Sequence, residues 1–507
     1  MPALSINAGT DAYGVFARHY AAGRTQLVTR QQVADLETPV SVYLRLAAGQ
    51  PFRFLLESVE GGAVKGRYSI VGCDPDLVWR CHNGAVALNH QPSRDPDAFT
   101  PLATPPLEAL RQAVAAARID VMTGLPPAAT ALVGYLGYDM VRLVERLPQP
   151  PTDGLGLPDA LFMRPRLIAI FDGVRDSLTL ATPVRPSTEL DARAAYGQAM
   201  AYLDEAEARL AEPAPEQRLA LPPGFEPAPQ PTRNTTSQAY EAMVARAKEY
   251  ILAGDIFQVV LSQRFSLPFP LPALALYRAL RRTNPSPFLF LLDFAGLAVV
   301  GSSPEILVRL RDGQVTIRPI AGTRPRGATP LDDKRLADEL LADPKELAEH
   351  LMLLDLGRND VGRVAKPGSV TVTERNVVEY YSHVMHIVSN VVGALADGED
   401  AISALFAGFP AGTVTGAPKV RAMEIIDGLE AAKRGVYAGA VGYFGADGSM
   451  DSCIALRTAV LKDGVLYVQA GAGIVADSDP AAEQAECEAK ARALIAAANL
   501  ALELAKS

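Results

Sequence analysis

The chain has 507 residues, of which 49% are hydrophobic and 21% are charged, and its formal net charge is -9. This length allows two to four domains with a sizeable buried core, and the composition is that of a globular protein rather than a disordered or collagen-like one. Because the net charge is negative, we exclude a general nucleic-acid or anionic-membrane surface. We expect any basic cluster to be local and to bind a small anion.

The cysteine usage and the N-terminal segment predict a cytoplasmic protein. Cys73, Cys81, Cys453 and Cys487 show no CxxC spacing and are too few to cross-link so long a chain. The N-terminal segment lacks the basic and apolar regions of a secretion signal, and no apolar run reaches membrane-spanning length. We therefore expect reduced thiols and no membrane partner.

The first half of the chain alternates short apolar segments that predict strands at 41–46 and 52–57, and a helix is predicted over 191–211. Seven prolines then fall between Pro213 and Pro231, where neither a helix nor a central strand can continue. We place the main boundary in this linker. Residues 1–230 are predicted to form an N-terminal α+β region, and residues 231–507 a second domain.

The second half begins with a helix that Thr236 or Ser237 caps and that Gly254 ends. A later helical block covers about 332–356, with Asp343 as the N-cap of its second part, and the last helix begins after Asp479. Between the first helix and this block, short turns separate consecutive strand-like segments, which favours antiparallel pairing. These segments are 256–265, 288–294, 297–301, 306–310 and 314–318.

Two carboxylates stand out on predicted helices. The neighbours of Glu349 four and seven residues further on are leucines, so its helix face is otherwise apolar, and Glu486 lies on a similar face of the last helix. We predict that both point inward. Such a pair suits Mg²⁺, which keeps several waters and bridges to substrate oxygens. Ordinary ion pairs, such as Glu486 with Lys490, are the alternative.

Two glycine-rich stretches are candidate anion sites. QAGAGIVADSDP places Gly471, Ala472 and Gly473 before a helix N-terminus, where backbone N–H groups can bind an anion. We reject a dinucleotide site because the helix begins too late after the glycines. PAGTVTGAPK, which contains Thr413, fails the P-loop spacing, and a plain turn is its alternative.

Three further features allow two interpretations each. The stretch RPIAGTRPRG, residues 318–327, is either an anion-binding loop or a solvated turn. His386 lies in an apolar, strand-like run, where a buried structural histidine is commoner than a catalytic one. Arg457, in a similar run, is either part of a buried ion pair or a clamp for a carboxylate.

These stretches coincide with the pattern of one known family. The matching segments include GDIFQVVLSQRF, RPIAGTRPRG, ELAEHLMLLDLGRNDVGRV, FPAGTVTGAPKVRAMEII and QAGAGIVADSDP, and they run in order to near the C-terminus. The chain resembles the chorismate-utilising enzymes, in particular the component I chains of anthranilate synthases. The resemblance implies an α+β fold with a two-sided antiparallel β-sandwich core flanked by helices.

The resemblance also implies roles for residues at matching positions. Glu349 and Glu486 look like the Mg²⁺ ligands, and Glu305 looks like the general acid that protonates the departing ring hydroxyl. His386 is associated with the elimination of pyruvate, and Thr413 belongs to the same pocket. The residues that the resemblance assigns to chorismate are Gly322, Thr323, Tyr437, Arg457, Gly471, Ala472, Gly473 and Lys490.

Two positions separate the chain from sister enzymes. Isochorismate synthases carry a lysine base where this chain has Gln258, and aminodeoxychorismate synthases a nucleophilic lysine where it has Ala321. The resemblance therefore implies a lyase that converts chorismate and ammonia to anthranilate and pyruvate, the first committed step of tryptophan biosynthesis. Aminodeoxychorismate synthase component I is the alternative. A non-catalytic tryptophan-binding regulator is disfavoured because Glu305, Glu349 and Glu486 are present.

A partner and an inhibitor complete the expectation. No cysteine lies in a G-x-C-x-G elbow, so the resemblance implies that a separate glutamine amidotransferase subunit, component II, supplies the ammonia. The stretches LLES and NPSPF resemble a feedback site at which tryptophan inhibits the enzyme. Its residues would be Glu57, Ser58, Pro287, Phe288 and Leu289.

Overall fold

The computed structural model describes residues 12–60, 64–120, 125–130, 132–147, 150–215, 219–225, 229–381 and 384–506. Short 3-10 turns lie at Pro127–Thr130, Tyr138–Leu143 and Gly412–Val414. The helices and strands before the proline-rich segment are α1 (Ala12–Ala21), β1 (Gln26–Val33), α2 (Pro39–Leu46), β2 (Phe52–Glu60), β3 (Val64–His82), β4 (Ala85–Asn89), β5 (Thr100–Leu102), α3 (Pro106–Ala116), β6 (Leu132–Leu136), β7 (Ala160–Asp172), β8 (Ser177–Val184) and α4 (Ala192–Ala211).

The second half carries the remaining elements. They are β9 (Thr232–Arg233), α5 (Ser237–Leu252), β10 (Gln258–Pro268), α6 (Ala273–Thr283), β11 (Phe288–Phe294), β12 (Leu297–Ser303), β13 (Ile306–Arg311), β14 (Gln314–Ile317), β15 (Ile320–Pro325), α7 (Pro330–Ala342), α8 (Pro344–Gly362), β16 (Thr371–Tyr380), β17 (Val384–Ala394), α9 (Ala401–Gly408), β18 (Gly416–Ala417), α10 (Lys419–Leu429), β19 (Ala440–Phe444), β20 (Met450–Ile454), β21 (Thr458–Lys462), β22 (Val465–Ile474) and α11 (Pro480–Leu504).

The strands pair antiparallel and have apolar cores on both faces. Phe54 of β2 and Leu292 of β11 belong to one core, whereas their chain neighbours Leu55 and Leu291 belong to another. Side chains alternate between the two faces of a strand, so this division means that the sheets are buried on both sides. Helices α5, α6 and α11 cover the face that contains Leu55. The predicted α+β class with a two-sided core and flanking helices is confirmed.

One predicted strand is wrong. Residues 41–46 lie in the helix α2, because Thr38 caps its first turn and Pro39 occupies the first helical position. The apolar residues Val42, Tyr43 and Leu46 then fall on one helical face, which packs into the core. A short apolar segment does not distinguish helical periodicity from strand periodicity, and the N-cap at Thr38 was the signal that indicated a helix.

The other predicted elements are confirmed with small shifts at their ends. Thr236 caps α5, and Asp343 and Asp479 cap α8 and α11 through their side chains. Gly254 follows α5 with a φ of +82°, which a glycine adopts without strain. In the described part of the chain, no helix combines the length and the apolar character that crossing a membrane requires.

Strand pairing joins the two halves of the chain. β2 pairs with β11, and β6 pairs with β19, so strands from both sides of the proline-rich segment are hydrogen-bonded to each other. The described residues between 213 and 231 form neither a helix nor a strand, as predicted for a linker. The division into domains at residue 230 stays a prediction.

Candidate active site

A cavity of about 630 Å³ lies where the ends of β10, β15, β17 and β22 meet the helices α8 and α11. Of the residues that the sequence assigned to catalysis, substrate and metal, twelve line it: Glu305, Gly322, Thr323, Glu349, His386, Thr413, Tyr437, Arg457, Gly471, Gly473, Glu486 and Lys490. Ala472 is the exception, because its side chain packs into the core on the opposite face of β22. The cavity therefore brings together side chains and backbone from widely separated parts of the chain.

Glu305 is a buried carboxyl group in this cavity. It precedes β13, is 8% exposed, and its Oε1 accepts a hydrogen bond from the Thr413 hydroxyl over 3.1 Å. Burial raises the pKa of Glu305 to about 8, although the Thr413 hydrogen bond and the charge of Arg457 oppose that shift. At neutral pH the group is therefore mostly protonated and can act as an acid.

His386 is held by the strand that faces it. β15 is irregular between Ala321 and Thr323, and Gly322 has a φ of +70°, a backbone conformation that favours glycine. The resulting bend brings the Gly322 carbonyl 3.0 Å and the Thr323 hydroxyl 3.1 Å from Nδ1 of His386. A carbonyl only accepts, so we infer that Nδ1 carries the ring proton and Nε2 is free to accept one.

Burial also lowers the pKa of His386, so the ring is neutral at neutral pH. The ring of Tyr381 lies edge-on to it, with 5.5 Å between the ring centres. The cavity therefore contains a protonated carboxyl group and a neutral imidazole. This is the combination that a reaction with separate acid and base steps requires.

A glycine-rich strand forms one wall of the cavity. β21 pairs with β22 from Val465 to Val468, and the residues of β22 beyond that point reach the cavity. A Cβ atom at Gly471 would lie 2.6 Å from the Leu261 carbonyl oxygen and 2.9 Å from the Tyr437 hydroxyl. The absence of a side chain therefore allows the close approach of Tyr437.

The sequence pattern around Arg457 predicts a strand. The structure instead places Arg457 in the connection between β20 and β21. Its φ is +49°, which is unusual for a non-glycine residue and turns the side chain out of the strand pattern. Burial lowers its pKa, whereas the nearby Glu305 and Tyr381 raise it. A partly buried guanidinium in a cavity is suited to a bidentate contact with a carboxylate.

The candidate metal ligands differ from each other in exposure. Burial, and then the charge of Glu346, raise the pKa of Glu349, and no hydrogen bond or ion pair reaches its carboxylate from the residues that the structure describes. Glu486 faces the cavity as predicted, but it is not buried, since its side chain is 51% exposed at the cavity mouth. Lys490 pairs with it over 2.8 Å and donates to the Gly471 carbonyl over 3.1 Å.

This donor set is compatible with Mg²⁺. Glu486 lines the same cavity, and its negative charge makes a small further contribution to the raised pKa of Glu349, because two like charges oppose each other's ionisation. A cation between the two carboxylates would relieve this repulsion. Among the described residues, no three His, Cys, Asp or Glu side chains come close enough to hold an ion alone. Proteins commonly hold Mg²⁺ through one or two carboxylates while waters and substrate oxygens complete the shell.

The arginines of RPIAGTRPRG do not line the cavity. Each arginine is paired with carboxylates of α7, of α8, of the residue between these helices or of β16. The arginines therefore hold the loop in place rather than bind an anion. The pairs are Arg318 with Glu379 (2.6 Å), Arg324 with Asp343 (2.8 Å) and Arg326 with Asp333 (2.5 Å). Ala321 and Gln258 of this chain do line the cavity, so both positions that separate the sister enzymes face the same space.

A few lining residues were missed from the sequence although periodicity could have identified them. Gln469 precedes Gly471 by two positions on β22 and therefore shares its face. Glu346 and Glu483 stand three residues before the two candidate metal ligands on their helices, and both line the cavity.

A second cavity, of about 400 Å³, contains the candidate feedback residues. Glu57, Ser58, Pro287, Phe288 and Leu289 all line it, together with Tyr443 and Asp451 from β19 and β20. The Glu57 carboxylate is already held by α6, through the Tyr277 hydroxyl at 2.5 Å and Arg281 Nε at 2.7 Å. Glu57 therefore fixes the cavity wall as well as facing its interior.

Comparisons with known proteins agree with this geometry. Residues 83–496 match the family described as chorismate binding enzyme. The chain is 58% identical over 487 residues to anthranilate synthase component 1 of Cereibacter sphaeroides, with 96% of each chain covered. It is 48% identical to the Thermus thermophilus protein of the same name, covering 92% of this chain and 97% of the relative.

Solved structures agree as well. Anthranilate synthase component I from Streptococcus pneumoniae superimposes with a TM-score of 0.74 and 37% identity, over 91% of this chain and 98% of that one. The menaquinone-specific isochorismate synthase from Escherichia coli shares the fold, with a TM-score of 0.67 and 22% identity, over 96% and 99% of the two chains. The chain belongs to the family of chorismate-binding enzymes and, within it, to the group of anthranilate synthase component 1 proteins.

Proposed function

We propose that the chain catalyses the reaction of chorismate with ammonia to give anthranilate, pyruvate and water, the first committed step of tryptophan biosynthesis. The observation that carries the proposal is the buried, protonated Glu305 held by Thr413 in the same cavity as Arg457 and the neutral His386. Acid, base and anion-binding groups are present together. Relatives that bear the name anthranilate synthase component 1 support the choice of reaction.

Chorismate carries two carboxylates, and the cavity offers groups for both. We assign one carboxylate to Arg457, the Tyr437 hydroxyl and the backbone of Gly471 and Gly473. The other lies toward Glu349 and the mouth of the cavity. The partly buried arginine orients the substrate because its donors lie in a cavity where less water competes for them than at the surface.

Glu305 and His386 divide the proton transfers. As ammonia adds to the ring, protonated Glu305 donates its proton to the ring hydroxyl, which leaves as water. Because Thr413 occupies Oε1, we assign that proton to Oε2. The ammonium group formed by the addition returns a proton to Glu305. The proton on the ring carbon that bears the new amine is then lost to Nε2 of His386 as the bond between the ring and the enolpyruvyl oxygen breaks, which restores the aromatic ring. The departing enolpyruvate takes up one proton, which His386 returns, and becomes pyruvate.

Glu349 and Glu486 would hold Mg²⁺, and Lys490 would fix the Glu486 carboxylate beside it. When bound, the ion would neutralise the ring carboxylate of chorismate and the charge of the two glutamates. The exposed position of Glu486 at the mouth fits a ligand that meets the ion together with the substrate.

A second candidate, aminodeoxychorismate synthase component I, shares the amination step but retains the enolpyruvyl group. Ala321 offers no nucleophile to the cavity, and Gln258 offers no amine base, which supports direct attack by ammonia. The test is to mix the purified chain with chorismate, Mg²⁺ and ammonium at alkaline pH and record anthranilate fluorescence and pyruvate. An aminated product without pyruvate would identify the second candidate, and unconsumed chorismate or isochorismate would contradict both.

The partner, the inhibitor and the location follow as further proposals. We propose that a glutamine amidotransferase subunit supplies ammonia, since the relatives are named as one component of a larger enzyme. Tryptophan would bind the second cavity, which all five candidate feedback residues line. The four cysteines are buried free thiols, which supports a reducing cytoplasm.

A further inference from the structure

A buried ion pair lies behind the catalytic cavity and is not part of its lining. Glu430 directly follows α10, Arg434 stands four residues later, and their side chains are 4% and 1% exposed. Nε of Arg434 donates to Oε2 of Glu430 over 3.0 Å, and Nη2 donates to Oε1 over 2.6 Å. Removing two charges from water is costly, so a pair at this depth requires partners on every side.

The remaining donors of Arg434 reach two backbone segments that line the cavity. Nη1 donates to the carbonyl of Val414 over 2.7 Å, and Nη2 donates to the carbonyl of Val260 over 2.7 Å. Val414 is the chain neighbour of Thr413, the partner of the general acid. Val260 lies on β10, two residues after Gln258. One guanidinium therefore joins the turn and the strand that form adjacent walls of the cavity.

The same guanidinium contacts Tyr437, a candidate substrate-binding residue. Its central carbon lies 5.6 Å from the centre of the Tyr437 ring and 4.8 Å from the centre of the Tyr138 ring. A cation against the face of a phenol withdraws electron density and makes the hydroxyl a better hydrogen-bond donor. Burial raises the pKa of Tyr437, and the charge of Arg434 opposes this shift.

Glu430 connects the ion pair to a third wall of the cavity, which β22 forms. Its Oε1 accepts hydrogen bonds from the backbone N–H of Ser262 over 2.8 Å and from the Ser262 hydroxyl over 2.9 Å. The Ser262 oxygen in turn accepts from Nε2 of Gln469 over 2.9 Å, and Gln469 lines the cavity beside Gly471. All three walls are thus hydrogen-bonded to one ion pair.

We propose that Arg434 is a positioning residue for chorismate: held by Glu430, it sets the relative placement of Tyr437, the Thr413 turn and the β10–β22 wall. The inference rests on the proposed function, because it takes this cavity as the chorismate site. A lysine cannot replace it, since one ammonium group cannot reach four acceptor atoms that the planar fork of an arginine meets together.

The experiment compares three variants with the wild-type chain. Arg434→Lys keeps the charge, and the double variant Glu430→Gln/Arg434→Met removes both charges without leaving one unpaired. Ser262→Ala removes the hydroxyl that donates to Glu430 and accepts from Gln469, and so breaks the connection between the ion pair and β22. Chorismate affinity is measured by titration calorimetry with Mg²⁺ and without ammonia, beside the melting temperature and kcat. We expect at least tenfold weaker chorismate binding in the first two variants and a two- to threefold loss in Ser262→Ala.

The matched control is the ion pair of Asp427 on α10 with Arg142 on the turn Tyr138–Leu143, neither of which lines the cavity. The triple variant Asp139→Asn/Arg142→Met/Asp427→Asn tests whether loosening α10 is enough to weaken binding, and it includes Asp139 because Arg142 also pairs with that buried carboxylate. Equal losses of affinity in control and test variants, or unchanged affinity in the test variants, would overturn the inference. A wild-type chain that binds chorismate but makes no anthranilate would contradict only the proposed function. Should the two Arg434 variants not fold, Ser262→Ala decides.

Discussion

The hydroxyl group of Thr413 and the carboxyl group of Glu305 are joined by a hydrogen bond of 3.1 Å between residues 108 positions apart in the chain. The bond lowers the pKa of Glu305, yet burial outweighs it. Its effect is therefore mainly geometric, since it directs one carboxyl oxygen toward the turn and leaves the other to carry the proton.

Replacing Glu305 with Gln should reduce kcat/KM for chorismate by a factor on the order of 10² to 10⁴, the usual worth of a general acid. The amide keeps the acceptor for Thr413 and loses the transferable proton. Initial rates of anthranilate formation at a constant concentration of free ammonia test this. A variant with more than half of the wild-type activity would exclude Glu305 as the acid.

The same substitution should stabilise the protein at neutral pH. The folded-state pKa of Glu305 is about 8 against an ordinary value of 4.5, so wild-type stability falls as the pH rises from 4.5 to 8. At pH 7 the free energy of unfolding is lower than at acid pH by roughly 3 kcal/mol because of this pKa difference, and Glu305→Gln would remove that loss. Urea unfolding of both proteins at pH 4.5 and pH 7 tests the sign, because the gain should appear only at the higher pH.

Local signals predicted the helices that carry part of this site, whereas the roles of its residues were predicted only from the resemblance to the chorismate-utilising enzymes. The caps Asp343 and Asp479 fixed where α8 and α11 begin and so placed Glu349 and Glu486 on their helices. What the sequence did not predict depends on long-range packing. Helical periodicity suggested that Glu486 is buried, yet α11 presents that face to an open cavity mouth. Nothing in the local pattern around Arg434 indicated that it would meet Val260, far away along the chain.

Glu349→Gln should raise the Mg²⁺ concentration that gives half-maximal activity by at least tenfold. The carboxylate has no other partner among the described residues, so its negative charge is free to attract the ion. Glu346→Gln is the matched control, because Glu346 lies one turn away in the same cavity but is paired with Arg324 over 3.1 Å. Full activity of Glu349→Gln without Mg²⁺ would remove the metal assignment.

Gly471→Ala should raise KM for chorismate by about tenfold or more, since the new Cβ would lie 2.9 Å from the Tyr437 hydroxyl and 2.6 Å from the Leu261 carbonyl oxygen. Steady-state kinetics and the melting temperature are measured together. Gly428→Ala on α10 is the control, because a Cβ there meets nothing within 4 Å and alanine favours the helix. Unchanged kinetics for Gly471→Ala would exclude this wall from chorismate binding.

Ser58→Phe should abolish inhibition by tryptophan while the rate of ammonia-dependent anthranilate formation stays within about twofold of wild type. The phenyl ring would enter the cavity of about 400 Å³ and occupy the space that an indole needs. Inhibition curves of the two proteins provide the measurement. Undiminished sensitivity of the variant would show that tryptophan acts elsewhere.

The pairing of β2 with β11 and of β6 with β19 has a consequence for any attempt to divide the molecule. Each half supplies the hydrogen-bonding edge that the other requires, so a half expressed alone would present bare, aggregation-prone strand edges. Two fragments produced together, by contrast, would supply both partners of these strand pairs. The second cavity and the candidate active site therefore depend on the same strand pairs, because loss of the first half would remove β2 and β6, the strands that pair with β11 and β19.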